Sequence, residues 1–292
     1  MLEDVETMTD ETAPRGLWAR MMRAKPAKPG ELYGVPGQGS SFILSLATIA
    51  FLLFIWWLVT AMGWVKPLFV PSPGAIVSEF IGILQGGFTG NSLFEHVWIS
   101  TLRVFGAFLL ACAVGIPLGL AMGMSPVMRG IFDPPIEFYR PIPPLAYLPL
   151  MIIWFGIGPV VAALIVFLMC FFPILVDSMS GFRAVDPRLF YISRSMGATR
   201  WQSFWKFRLP AAMPAIFSGM KIGVVKAVEG VIIAEFIASN KGLGFMIMQA
   251  SSFMDMSLMF AGLIAAAIVA LIFNGAMGIA ERVLMPWGNA GH

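Results

Sequence analysis

Beyond residue 40 the chain carries too little charge to build a water-facing surface. Eleven of its 35 charged side chains (19 basic plus 16 acidic) fall in the first 40 positions, leaving 24 for the remaining 252 residues. A soluble domain carries roughly 25% charged residues, whereas this chain has 12%, with 58% apolar residues and a mean hydropathy of +0.83. A soluble globular enzyme is excluded and an all-α polytopic membrane protein is expected, because helices satisfy their own backbone in lipid. The net charge of +3 is too small to point to nucleic acid. Cys112 and Cys170 lie inside apolar runs and read as buried hydrophobes.

Six stretches approach the ~20 apolar residues that a spanning helix needs: roughly Phe42–Met62, Leu102–Met124, Ile142–Ile157, Val160–Gly181, Pro214–Ala238 and Leu258–Ala280. The third is short and opens behind Pro141, Pro143 and Pro144. Residues 1–40 mix acids, bases and prolines without the apolar core of a secretion signal, and are expected to form a largely disordered cytosolic tail. Residues 41–285 then form the membrane domain. Basic side chains in the connections set the sidedness. The tail has five, the 125–141 connection has Arg129 and Arg140, and the 182–212 connection has six. The opposite set is nearly bare, with Lys66 and Lys241. Both termini and the 182–212 segment are therefore expected on the cytosolic side.

The most informative connection is 186–210, reading DPRLFYISRSMGATRWQSFWKFRLP. Pro187 behind Asp186 suits a helix start, and Leu189, Ile192 and Met196 recur at helical spacing. Gly197 interrupts. Thr199 and Gln202 then form a T-x-x-Q capping-box pattern for a second short helix, with Trp201, Phe204, Trp205 and Phe207 as its apolar side. Such a basic hairpin lies either on the lipid surface or in a groove of another protein.

Charges inside spans default to functional hypotheses. The fifth span holds Lys221, Lys226, Glu229 and Glu235. Lys226 falls near the midplane, with Glu229 three residues on and able to pair with it. The two form either a neutralised packing pair or part of a pathway offering a positive charge to an anionic solute. Lys221 can snorkel to the interface; Arg103 and Asp177 read as interfacial anchors. His96 and His292 show no metal-ligand spacing, so no metal, cofactor or catalytic residue is expected. The chain has no Gly-Lys dipeptide, which excludes a G-x-x-x-x-G-K-[ST] phosphate loop.

Several blocks resemble one family. Gly197 followed by Leu209-Pro210 is similar to the cytoplasmic EAA loop of ABC-importer permeases. PSPGAIV (71–77), STLRVFGAFLLACAVGIPLGLAMG (100–123), RPIPPLAYLPLMIIWFGIG (140–158), FFPILVDSMSGFRAVDPRL (171–189) and GLGFMI (242–247) resemble its nitrate, sulfonate, taurine and bicarbonate branch. The resemblance covers about residues 65–285. It implies a type I importer permease of about six spans in the bacterial inner membrane, assembled as a homodimer. Its partners are then two cytosolic ATPase subunits, which bind the ATP, and an extracytoplasmic solute-binding protein. The coupling residues it implies are Arg188, Leu189, Ile192, Arg194, Met196, Gly197, Leu209 and Pro210, with Leu189–Met196 facing the ATPase and the four aromatics buried on the permease. Where the family writes E-A-A, this chain has Tyr191, Ile192 and Ser193, so the contact charge falls to Arg188 and Arg194. The implied solute is a small anion: an aliphatic sulfonate or taurine first, then nitrate, bicarbonate or an aromatic carboxylate. The resemblance also marks Lys221 and Glu235 as structural or gating positions. An ion-coupled secondary carrier is the alternative; it needs a coupling-ion site and usually an internal repeat.

Overall fold

The computed structural model describes residues 42–285; the expected 1–40 tail and His292 lie outside them. The chain divides into two compact units at Lys66 and Pro67. In the first, α1 (Phe42–Ala61) is 20 residues long, about 30 Å and thus the thickness of a hydrocarbon core. Its Thr60 hydroxyl donates to the Trp56 carbonyl at 2.9 Å, which satisfies that hydroxyl on an apolar helix.

The second unit is all-helical among the described residues. It contains α2 (Pro73–Gly86), α3 (Leu93–Met124), α4 (Pro126–Tyr139), α5 (Pro144–Phe155), α6 (Pro159–Ala184), α7 (Pro187–Ser195), α8 (Arg200–Ser203), α9 (Leu209–Ala238), α10 (Leu243–Ser252) and α11 (Met256–Leu284). A π-helical turn, Phe204–Arg208, joins α8 to α9. The serine of a Ser-Pro pair opens both α2 and α4: Ser72 Oγ accepts from Ala75 N and Ser125 Oγ from Met128 N. Each serine satisfies a free N-terminal amide while the proline occupies a position that needs no donor.

α3, α6 and α11 are long and apolar enough to cross a membrane. α9 matches them in length, with 30 residues, but carries the four charges noted above. α5 is shorter than the expected third span. Its 12 residues extend about 18 Å, less than a hydrocarbon core of about 30 Å. Prolines ahead of it and Gly156 behind it (φ +76°) confine the helix.

α6 is the central element, and its most extensive packing is against α9 and α3. Lipid offers no hydrophobic drive between helices, so close approach at small residues does the work. α6 and α9 run antiparallel in a regular register: Gly181 meets Ala215, Gly219 meets Asp177, Gly223 meets Ile174 and Gly230 meets Met169. A Cβ at Gly223 would stand 2.9 Å from Ile174 and 3.2 Å from the Cys170 carbonyl. Gly223→Leu is therefore expected to force the two helices apart at a cost of about 1–3 kcal/mol or more, read as a lower melting temperature of the solubilised protein. An unchanged melting temperature would show the register to be wrong.

Candidate functional site

Three constellations stand at different levels of this α3–α6–α9 core. The first is the hairpin. Asp186 Oδ1 accepts from Arg188 N at 2.8 Å and opens α7. Gly197 then takes φ +78°, a left-handed conformation open to glycine. Thr199 and Gln202 complete the capping box, with Thr199 N donating to Gln202 Oε1 at 2.9 Å. The two arms are clasped by a buried hydrogen bond between the Ser193 and Ser203 hydroxyls at 2.6 Å. Leu189, Phe204 and Leu209 pack on Leu120, Phe182, Val185, Ala212 and Ile216 at the helix ends, and the Arg208 guanidinium lies 4.3 Å over the Phe182 ring. Pro210 occupies the first turn of α9. The hairpin is thus a fixed projection.

Its outward side is mixed. Arg188, Tyr191, Ile192, Arg194, Met196 and Gly197 are exposed, but Leu189 turns inward. The aromatics divide contrary to expectation. Phe204 and Phe207 are partly buried, whereas Trp201 and Trp205 are 69% and 48% exposed. Trp201 and Trp205 stand four residues apart and share one side, Phe204 and Phe207 stand three apart and share another, so the four aromatics point two ways.

The second constellation lies midway along α9. Lys226 Nζ and Glu229 Oε2 are 2.6 Å apart, within one helix, and their side chains are 45% and 49% exposed. Both line a cavity of about 310 Å³, along with Arg140 from the end of α4, Tyr147 from α5 and Asp177 from α6. Lys221, one and a half turns nearer the hairpin, pairs instead with Glu281 of α11 and ties two spans together.

The third sits at the end opposite the hairpin. Glu235 is fully buried. Its carboxylate accepts from Arg103 Nη1 at 2.6 Å, from Gly244 N at 2.9 Å and from Ser100 Oγ at 2.8–2.9 Å. Ser100 Oγ in turn accepts from Leu243 N, and Arg103 also donates to the Lys241 carbonyl. His96 is fully buried: its Nδ1 accepts from Gly242 N at 3.1 Å, and Nε2 lies 3.3 Å from the Phe88 carbonyl. Arg103, expected to be an anchor, is the counter-charge of Glu235. His96, Ser100 and Arg103 follow at spacings of four and three, one face of α3, and this face is what grips the 239–244 turn. Gly242, at φ +123°, brings its backbone so close that a Cβ would strike the Glu235 carboxylate. Among the described residues, no group of His, Cys, Asp and Glu is arranged to hold a metal ion.

Comparison with known proteins identifies the family. The family described as "Binding-protein-dependent transport system inner membrane component" matches residues 115–287. The taurine transport system permease protein TauC of Escherichia coli (strain K12) is 40% identical over 245 residues, 84% of this chain and 89% of that protein. The putative aliphatic sulfonates transport permease protein SsuC of Bacillus subtilis (strain 168) is 32% identical over 272 residues, 93% of this chain and 94% of that one. Among solved structures, an inward-facing conformation of the MetNI methionine ABC transporter superposes with a TM-score of 0.58 at 20% identity. It covers 65% of this chain and 95% of that one, a likeness of fold. These matches set aside the ion-coupled carrier. The chain belongs to the binding-protein-dependent transport system inner membrane component family and is a multi-pass permease subunit of an ABC importer in the bacterial plasma membrane.

Proposed function

We propose that this permease imports a small organosulfonate, taurine foremost, as a homodimer driven by two cytosolic ATPase subunits and fed by an extracytoplasmic binding protein. Both termini and the 182–212 segment face the cytosol in this reading, and six helices span the bilayer. One observation carries it. Lys226 and Glu229 are half-exposed on a spanning helix, beside Arg140 and Asp177, around one cavity. Such charges do not face lipid; they face water or protein. That face of α9 therefore belongs to a solute path or to the second copy. The 40% likeness to a taurine permease supports the choice of solute.

The hairpin supplies the coupling. Leu189, Leu209 and Pro210 hold it to the helix ends, while Arg188, Ile192, Arg194, Met196 and Gly197 are offered to an ATPase groove, joined by Trp201. A clasped, packed projection transmits a push, which a loose loop does not.

The test is reconstitution of the permease, its ATPase and its binding protein in liposomes. Taurine-loaded binding protein is expected to stimulate ATP hydrolysis and taurine accumulation. Gly197→Asp is the companion variant. Nothing lies within 4 Å of a Cβ at Gly197, so the permease itself meets only backbone strain of about 1–2 kcal/mol. The variant is expected to fold and yet lose most of the stimulated hydrolysis. Normal stimulation in Gly197→Asp would overturn the docking assignment, and no response of the wild-type complex to any sulfonate would overturn the solute.

A further inference from the structure

Building on that reading of the cavity, we infer that its walls recognise a zwitterion, a solute bearing an ammonium group and an acid group a few bonds apart, at two successive stations. Four charged side chains line the cavity: Arg140 and Lys226 against Asp177 and Glu229. At neutral pH two positive and two negative charges sum to zero. A cavity built for a plain anion has no use for two carboxylates, since each repels the solute it must pass.

The charges are sorted into two sets. Gly219 packs on the Cβ of Asp177, so Asp177 lies at the level of residue 219 on α9. Lys226 is seven residues farther along, about 10 Å at 1.5 Å per residue. The Lys226 set is closed, with its ion pair at 2.6 Å. The Arg140 set is open: among the described residues neither Arg140 nor Asp177 makes a side-chain hydrogen bond or ion pair. Each set is one cation with one carboxylate, and the Tyr147 and Tyr139 phenols line the same wall.

A plain sulfonate that takes Lys226 strips Glu229 of its partner and stands beside a carboxylate of like charge, which repels it. A zwitterion exchanges partners without that penalty: its acid group takes Lys226 while its ammonium takes Glu229, and no charge is left alone. At Arg140 and Asp177, which are unpaired among the described residues, the two ends of a zwitterion meet a cation and a carboxylate on the same cavity wall without displacing an ion pair. Two matched stations of this kind let a solute move on without leaving a deep well, as in multi-site conduction.

The experiment compares 2-aminoethanesulfonate with ethanesulfonate in the reconstituted complex. Each is supplied on saturating loaded binding protein, so that the receptor's own preference cancels from the maximal uptake rate. Glu229→Gln keeps the side chain's size and removes its charge. It is expected to slow the zwitterion and speed the plain anion, lowering their rate ratio by about tenfold or more, the worth of one charge-assisted hydrogen bond. Asp177→Asn is expected to shift the ratio in the same direction, and it decides the matter should Glu229→Gln fail to assemble. A wild-type ratio in the assembled variants overturns the inference and leaves the organosulfonate reading intact. A wild-type complex that moves neither solute overturns the organosulfonate reading itself.

Discussion

Glu235→Ala is expected to destabilise the permease by about 3–5 kcal/mol, the cost of removing one partner from a buried ion pair. The deletion strips an acceptor from Ser100, from the Gly244 amide and from Arg103 at once. Arg103 is only 16% exposed at its side chain and keeps a single neutral acceptor, the Lys241 carbonyl. The turn 239–244 then loses its grip on the His96–Ser100–Arg103 face of α3. Thermal unfolding of the solubilised complex should show a melting temperature lower by on the order of 10 °C, with reduced yield from membranes. Glu235→Gln should recover little, because an amide donates toward Arg103 or Gly244 where both already donate. A melting temperature within a degree of wild type in Glu235→Ala would mean that the network does not hold α3 to α9.

This network also marks where the sequence stopped being readable. The apolar runs announced the long helices because lipid demands continuous hydrophobicity, and that demand is local. The Lys226–Glu229 pair was legible for the same reason, since three residues on one helix fix the geometry before any packing occurs. Ser100 and Arg103 reach Glu235 across 135 and 132 residues. Their meeting depends on α6 spacing α3 and α9 at glycine contacts, which no local pattern encodes. The helices α2 and α4 were signalled by Ser72-Pro73 and Ser125-Pro126, cues that mark helix starts but say nothing of apolar content. The hairpin sits between these cases. Its Thr199 capping box follows from residue types alone, whereas the outward side of Trp201 and Trp205 depends on which face of the short helix meets Phe182 and the helix ends, and that is set by tertiary packing.

Lys226→Met is expected to lower solute uptake by on the order of 100-fold while the permease still assembles with its ATPase and melts like wild type. Methionine nearly matches lysine in length, and a single i,i+3 pair contributes only about 0.2–0.5 kcal/mol to its helix, too little to move the melting temperature. The cavity's balance changes far more. Arg140, Asp177 and Glu229 remain around the cavity, and one positive against two negative charges leaves −1 where wild type has zero. A sulfonate about 5 Å from the uncompensated Glu229 meets a repulsion of about 3 kcal/mol at an effective dielectric of 20, roughly a hundredfold in rate. Lys226→Arg should keep most of the uptake, and Lys226→Met combined with Glu229→Gln should recover part of the uptake of a plain sulfonate by restoring neutrality. A packing role predicts the opposite pattern: a lower melting temperature in Lys226→Met with uptake per folded complex unchanged. Uptake at the wild-type rate in Lys226→Met would remove Lys226 from the pathway.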